Sequence, residues 1–597
     1  MTETTIPSPM EVPHPWLADF GEPELRAHAL QTRSRIPREH LAREITGGWH
    51  SYQSLIEALE SGEMRALIRP HRACLLAQII AAQRLEADDP IHALAIFEQV
   101  ISTYGHSTLS DDEKLIYTEL MDRADRPHDV NRAIQTFELD TLYPGDAAAL
   151  RANSAHASSE AGSEVWLSAL NDLFAVDDLD PVTLAPGDAP VLDRLESTSA
   201  AASVNGPLVT VIVPTWRPGP WLWTAVRSLT QQTYADLQIL VMDDLSGPEY
   251  EGQLDALLSM DSRIEIITSP KNRGTYASRN AAVRESARGE FVTIQDDDDW
   301  SHPQRIERQV EFSRERRLAV GMCRAARVTE DLRFVRRAAT FIRRGYPTTL
   351  VSRGTFTKVG FWDPVRRNSD FEFIRRVRRS KQPTGDLGAA PMMLQRHRGD
   401  SLSSGEVWEG YTEQSRRWQN WLSSDWHTRS VASGQRLYMG SGRGLPRPYP
   451  APHGLTRASR DEPALEVDTL VVADFGKDGT SQQRAVELLE ASLSRHERIG
   501  ILHVEGFRPL SETVDTTVAD LARRSGVTLV TWNDDVSAAT AHVLDADYLA
   551  LCDSVTSRIR ADHVDLCGLS EVADIASRLF QTSNITAHDV WRGEDTP

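Results

Sequence analysis

The chain has 597 residues, with 86 acidic against 65 basic side chains and a formal charge of −21; 40% of residues are hydrophobic and 25% charged. That balance excludes fibrous and disordered classes, and the acidic total excludes a general nucleic-acid binder, whose footprint is a basic face. At roughly 100–200 residues per domain, three or four domains are expected.

The charge is unevenly spread: residues 205–430 hold 34 basic and 28 acidic side chains and are net positive, while the acidic surplus lies in the flanks. Cys74, Cys323, Cys552 and Cys567 form no CxxC pair. Buried thiols in a reducing compartment are therefore expected, rather than a zinc ribbon or a disulfide framework. Residues 1–16 are acidic and Pro-rich and lack the basic then apolar pattern of an export signal. No run of about 18 apolar residues occurs, so no spanning helix is expected, which leaves surface attachment open. The expectation is a cytoplasmic protein, with peripheral contact at the inner face of the cell membrane.

From residue 20 to 170 apolar side chains recur at three- and four-residue spacing, as in CLLAQIIAAQRL (74–85), which predicts a helical domain. Ala93 and Phe97 recur as Ala133 and Phe137, an A-x3-F spacing similar to the second helix of a tetratricopeptide hairpin. The readings are a docking surface for a protein partner or a plain helical bundle. Residues 171–206 collect Asp, Ala, Pro, Gly and Ser and read as a linker. Between 207 and 435 β-branched runs alternate with helical patterns (VTVIVPT, WTAVRSLTQQ, LQILVMDD, RIEIITS, SRNAAVRESA, FVTIQDDDD), predicting a parallel α/β sheet. Ligands bind such sheets at the carboxyl ends of the strands, where Thr215, Arg217, Asp243, Asp244 and Asp296–Asp299 fall. A second Gly- and Pro-rich linker is read at 436–464. Residues 465–597 read as a small Rossmann-like domain with strands VDTLVVADF, RIGILHV, VTLVTW and YLALCD. Its loop FGKDGTSQQR (475–484) suits an anion by position but matches no phosphate-loop pattern, so an ordinary strand-to-helix turn is the plainer reading.

The sharpest feature is FVTIQDDDDWSHP (291–303), an apolar strand ending in four carboxylates, with Pro303 read as the first turn of a helix. Adjacent carboxylates repel one another unless a cation sits among them, and hard oxygen ligands of this kind suit Mg²⁺ or Mn²⁺ bridged to substrate phosphates.

Taken together, VTVIVPTWRPG, LQILVMDDLS, NRGTYASRNAAVRESARGEFVTIQDDDDWSHP and VGFWDPVRRNSDFEFIRRV resemble the family 2 glycosyltransferases with the GT-A fold, over about residues 207–400. The resemblance implies a hexosyltransferase that moves a sugar from a nucleotide-sugar donor, a UDP-sugar first among them, to a hydroxyl of a cell-surface glycan or lipid-linked acceptor. It implies a metal-dependent displacement with inversion. Residues 214–217 (PTWR) look like the turn facing the nucleotide, Asp243-Asp244 like the pair that holds the base, and Arg279-Asn280 like the family's R-N pair. Within the DxD-like run, Asp298 takes the metal position and Asp296 or Asp297 the ribose position. NSDFEFIRR places Asp370 at the general base, with Ser369 where a Glu is usual and Glu372 as the acidic neighbour. His397 resembles the late R-x-H segment, near the metal or diphosphate.

The Arg-rich run 375–382, with Arg343-Arg344 and Arg366-Arg367, reads as a solvated helix face or as a docking strip for an anionic acceptor. A second class of function follows from Ser369, from Leu245 where the family commonly has Gly, and from the large flanks: a transferase-fold scaffold without turnover.

Overall fold

The computed structural model describes residues 15–64, 67–158, 162–198, 204–330, 333–336, 339–398, 407–441, 447–457, 463–477, 479, 481–568 and 572–588. The opening Pro-rich residues, 199–203 of the first linker, 399–406 after the R-x-H segment, and 478 and 480 of the C-terminal loop lie outside the described residues.

The N-terminal third is helical, from Glu22–Thr32 to Gly162–Ala175. Its ends follow local chemistry: Pro70 opens the helix Pro70–Gln83, and Ser110 with Glu113 forms a reciprocal capping box on Asp111–Arg123. The repeated Ala93, Phe97, Ala133 and Phe137 are all buried in one core, where Tyr117 packs edge-on against both Phe rings at 6.0 and 6.1 Å. Arg38 and Asp89, both buried, pair at 2.7 and 2.8 Å and tie the helix Ile36–Ile45 to Asp89–Tyr104.

This helical layer shares its core with the middle of the chain. Trp300, Cys323, Ala326, Phe334 and Leu394 belong to the same buried cluster, with Trp166 stacked on Phe334 at 5.8 Å and Phe174 on Trp300 at 6.2 Å. The segment read as a linker at 171–206 is structured where described: Val182–Leu184 and Leu195–Ser197 pair as an antiparallel hairpin, with Val182, Leu192 and Leu195 buried. Its spaced apolar residues outweigh the turn-forming composition around them.

The central sheet runs in the order Ile264–Thr268, Leu237–Asp243, Val209–Thr215, Phe291–Ile294, Leu350–Ser352, Val320–Val328, Thr384–Arg396, Trp300–Ser301. The first four strands are parallel, as their Val- and Ile-rich sequences require when both faces are covered. Leu350–Ser352 then runs antiparallel to both its neighbours. Strand order reverses between Val209–Thr215 and Phe291–Ile294, which places the ligand crevice of such a sheet at Thr215 and the acidic run. Pro303 does not sit in a first helical turn: the helix is Arg305–Glu315, and between it and the acidic run Trp300–Ser301 pairs with Met393 and Leu394.

The second linker is also anchored where described. Tyr449 is buried, stacks on Trp426 at 5.5 Å and donates to Asp363 at 2.5 Å, and Arg447 pairs with the same carboxylate. Beyond it six parallel strands line up as Val527–Val530, Ile499–His503, Leu465–Ala473, Val536–Val543, Ile559–Cys567 and Ile585–His588. YLALCD is not one of them; Ala546–Cys552 is a 3₁₀ helix. Its Ala546, Leu549 and Cys552 are buried with the sheet core, so a short apolar run there serves a helical turn equally well. At the described start of the loop 475–484, Asp474 accepts from the Gly476 amide at 2.9 Å and pairs with Arg508 at 2.7 Å. All four cysteines are buried and free. Among the described residues no helix is long and apolar enough to cross a membrane.

Candidate active site

Strand register decides which side chains meet. Thr215 lies opposite Asp243 on one side, and on the other Ile212 lies opposite Ile294, which brings the Thr215 end beside the acidic run. Thr215 Oγ1 donates to Asp297 at 2.5 Å. Burial and the neighbouring Asp298 charge push the Asp297 carboxyl up to about 7. Burial likewise raises Asp298, with Asp296 adding to the effect and Arg398, 3.7 Å away, opposing it. Asp299 points the other way: fully buried, it accepts from the Arg396 amide at 3.1 Å and from Gln395 at 3.3 Å, and it fastens the run to the strand Thr384–Arg396.

The helix Thr275–Glu285 starts at Gly274, whose φ of 78° a side chain would strain. Asp244 holds that start, accepting from the amides of Arg273 and Gly274 at 2.8 and 2.7 Å and from Ser278 at 3.0 Å. Asp243 is bound in the same way to its own loop, accepting from the Ser246 amide at 3.0 Å. Leu245, at φ 65°, takes the left-handed conformation that a Gly would adopt without strain. Arg217 is exposed, with its guanidinium 4.6 Å above the Trp216 ring.

One turn along that helix, Arg279 joins the two halves of the site. Its guanidinium reaches Asp296 at 2.8 Å and Asp370 at 3.0 Å, while Tyr276, one turn earlier on the same face, donates to Asp370 at 2.8 Å. Arg279 is only 3% exposed in its side chain and Asp370 13%, so these charges are held away from bulk water. Burial raises the Asp370 carboxyl, and Arg279 and Tyr276 pull it back toward the ionised form. Asn280 faces away, clipping the backbone of Trp362 at 2.8 and 3.1 Å.

The structure thus brings Thr215, Arg279, Asp296, Asp297, Asp298 and Asp370 together at the strand ends where a sheet of this order opens its ligand cleft, with Asp243 and Asp244 buried at the adjoining strand end. Glu372 lies apart from it: buried, it pairs with Arg376 at 2.8 Å and sits 3.0 Å from His427. Burial alone would raise Glu372, but Arg376 and His427 hold it at about 2. This removes Arg376 from any solvated strip, since its guanidinium is part of the core. Ser369 is buried in the first turn of Ser369–Arg379, its hydroxyl without a hydrogen-bond partner among the described residues.

Two residues of the site escaped the sequence reading. Tyr276 is three positions before Arg279 in TYASRN, the spacing that places side chains on one helix face. Arg398, beside the half-buried His397, lies 3.8 Å over the Trp221 ring and close to Asp298.

Among the described residues no three His, Cys, Asp or Glu side chains converge as a ligand cluster. The donor chemistry nevertheless fits a hard cation. Asp296, Asp297 and Asp298 are oxygen donors; burial, and then their mutual repulsion, raises Asp297 and Asp298, and Mg²⁺ sites are completed by substrate phosphates rather than by an all-protein cage.

Residues 210–377 match the family model described as Glycosyl transferase family 2. Over 125 residues the chain is 29% identical to a putative teichuronic acid biosynthesis glycosyltransferase of Bacillus subtilis, TuaG, covering 21% of this chain and 49% of that protein. Over 103 residues it is 34% identical to a putative colanic acid biosynthesis glycosyl transferase of Escherichia coli, WcaA, covering 17% and 36%. The solved mannosyltransferase PcManGT from Pyrobaculum calidifontis, in complex with GDP-Man and Mn²⁺, is 14% identical at a TM-score of 0.28, covering 49% of this chain and 77% of that one. The chain spans between 20% and 49% of the length of the first curated relatives it matches. The match coincides with the cleft built by Thr215, Arg279, the acidic run and Asp370, and the part of the chain that carries this cleft is a family 2 glycosyltransferase domain.

Proposed function

We propose that this chain transfers a sugar from a nucleotide-sugar donor to a hydroxyl of a cell-surface glycan or lipid-linked acceptor, with inversion at the anomeric carbon. The observation that carries the reading is Arg279, which holds Asp296 at the acidic strand end and Asp370 on a separate helix through one buried guanidinium. A donor-side carboxylate and a base are thereby fixed across one cleft, as a direct displacement needs. The polysaccharide roles named for TuaG and WcaA support a glycan acceptor.

In this reading Thr215, Arg217, Asp243 and Asp244 face the nucleotide, and Asp296 or Asp297 the ribose. Asp298, with His397, would hold Mn²⁺ or Mg²⁺. A divalent cation there supplies charge neutralisation to the departing diphosphate. Arg279 and Tyr276 orient Asp370 and favour its ionised form against burial, so that it takes the proton of the acceptor hydroxyl. The donor is a UDP-sugar first among the nucleotide sugars. The helices before the domain and the sheet after it act as docking and spacing modules, and the reaction takes place on the cytoplasmic side, at the membrane surface.

The test is Asp298→Asn. Wild type should gain thermal stability from Mn²⁺ together with a nucleoside diphosphate, and the variant should not. Without ligand the variant should melt at the same temperature or higher, because one repelling charge is gone. Equal stabilisation of both proteins by the ligand pair would contradict the metal assignment.

A further inference from the structure

The end of the domain away from the cleft carries a surface of its own. Ser352 lies opposite Phe291, at the amino end of the strand that runs into the acidic cluster, and the helix Arg353–Val359 starts there. The helix Ser369–Arg379 begins beside Asp370 and reaches Arg379 roughly 14 Å further along its axis. Two hollows open at that end. One, of about 310 Å³, is lined in part by Lys358, Arg379, Val431 and Arg436, and the other, of about 600 Å³, in part by Arg353 and Tyr438. They adjoin through Arg436, which donates to the Lys358 carbonyl at 2.6 Å and lies 5.0 Å over the Tyr438 ring.

The charge on this face is unbalanced. Two of its cations are neutralised, Arg284 by Glu285 and Arg288 by Glu265. Arg353, Lys358 and Arg436 donate instead to neutral acceptors: the Ala287 carbonyl at 3.2 Å, Gln382 at 3.0 Å and the Lys358 carbonyl at 2.6 Å. All three are exposed, as are Arg378, Arg379 and Lys381, and none of the six pairs with a carboxylate among the described residues. Against them stands Glu290, whose carbonyl accepts from the Arg353 amide at 2.9 Å, so the face stays positive. Helix C-termini attract cations, which accounts for Lys358 and Arg379 in the last turns of their helices. It does not account for Arg353, which opens its helix, or for Arg436, which lies outside any helix. Among these cations Val431 is 51% and Tyr438 42% exposed, a hydrophobic surface that no packing explains.

We propose that this end of the domain docks the protein on an anionic lipid surface, an inference that rests on the reading above that transfer takes place at a membrane. The cations stand at the ends of separate elements rather than around one point, which suits a field of headgroups better than a single anion, and each Lys or Arg near such a surface adds to the attraction. Val431 and Tyr438 select lipid over a soluble polyanion. A Tyr ring has an apolar body and a polar tip and belongs at the boundary of headgroups and acyl chains, whereas a polyanion in water has no use for an exposed Val. Because the cleft lies at the opposite end, docking leaves it open to the donor.

The experiment is co-sedimentation of the full chain with vesicles of phosphatidylcholine alone and of phosphatidylcholine and phosphatidylglycerol in equal parts, with soluble polyphosphate as a parallel probe. Wild type should bind the mixed vesicles and not the neutral ones, more weakly as salt shortens the screening length to about 8 Å. The double variant Lys358→Ala, Arg379→Ala should bind the mixed vesicles about 25-fold more weakly, about fivefold for each cation removed. Val431→Ser should also weaken vesicle binding. Both variants change exposed side chains and should melt as wild type does, with the same stabilisation by Mn²⁺ and a nucleoside diphosphate. Equal binding to neutral vesicles, or wild-type binding by either variant, would overturn the inference, as would binding of polyphosphate without binding of vesicles. If no vesicle binds while the nucleotide still stabilises the protein, the inference falls and the transferase reading stands. Vesicle binding without nucleotide stabilisation would contradict the transferase reading and support the docking face.

Discussion

Asp370→Asn should lower turnover by about 10²–10⁴-fold while the donor still binds, the range over which a positioned acid–base group contributes. The carboxylate accepts from Tyr276 at 2.8 Å and from Arg279 at 3.0 Å. Both donors favour its ionised form against the burial that raises its pKa. The amide keeps the shape and loses the basic oxygen. Arg279 retains Asp296 as a counter-charge at 2.8 Å, so the donor side of the cleft should survive. The measurement pairs initial rates with the melting shift produced by nucleoside diphosphate and Mn²⁺. Joint loss of rate and shift would make Asp370 a strut between helix and cleft rather than the base.

The second large effect lies outside the cleft. Glu372→Gln should destabilise the protein by about 3–5 kcal/mol, because it leaves the Arg376 guanidinium buried without its counter-charge. Glu372 and Arg376 are both 0% exposed in their side chains, and His427 completes the cluster at 3.0 Å. The folded carboxyl is held at about 2, below its ordinary 4.5. Its contribution is therefore fully present above pH 4.5 and is lost progressively as pH falls toward 2. Chemical denaturation at pH 7 should show the drop in midpoint. Through the acid window the variant should lose less stability than wild type; parallel loss in both would contradict the assignment.

These two carboxylates, two positions apart, show what the sequence discloses. NSDFEFIRR marks Asp370 by its likeness to a family segment, and the strand ends at Thr215, Asp243 and Asp296 follow from β-branched runs that stop at polar residues. Nothing in the same segment reveals that Glu372 turns inward to Arg376, because helical spacing puts i,i+4 charges together on buried and exposed faces alike. The joining role of Arg279 is equally hidden, since it depends on how two helices distant in sequence pack. Composition misled where it was averaged: the segments read as linkers at 171–206 and 436–464 hold Val182, Leu195 and Tyr449, and these few apolar side chains anchor them. In the C-terminal sheet the apolar YLALCD is a helical turn, and VSAATAHV carries too little hydrophobic signal to be read as a strand. The small alternating residues of Val536–Val543 nevertheless form the strand, since they fit beside Leu465–Ala473 in parallel register.

The central claim is that one cleft binds a nucleotide sugar and breaks its anomeric bond. The direct test is to incubate the full chain with UDP-, GDP- and dTDP-sugars and Mn²⁺ and to follow nucleoside diphosphate release, with NMR of the sugar product for its anomeric configuration. Release is expected from one nucleotide class, UDP first, with an inverted product, and reduced about 10²-fold or more in Asp370→Asn. No release and no stabilisation by any nucleotide in the wild type would contradict it and leave a transferase-fold scaffold.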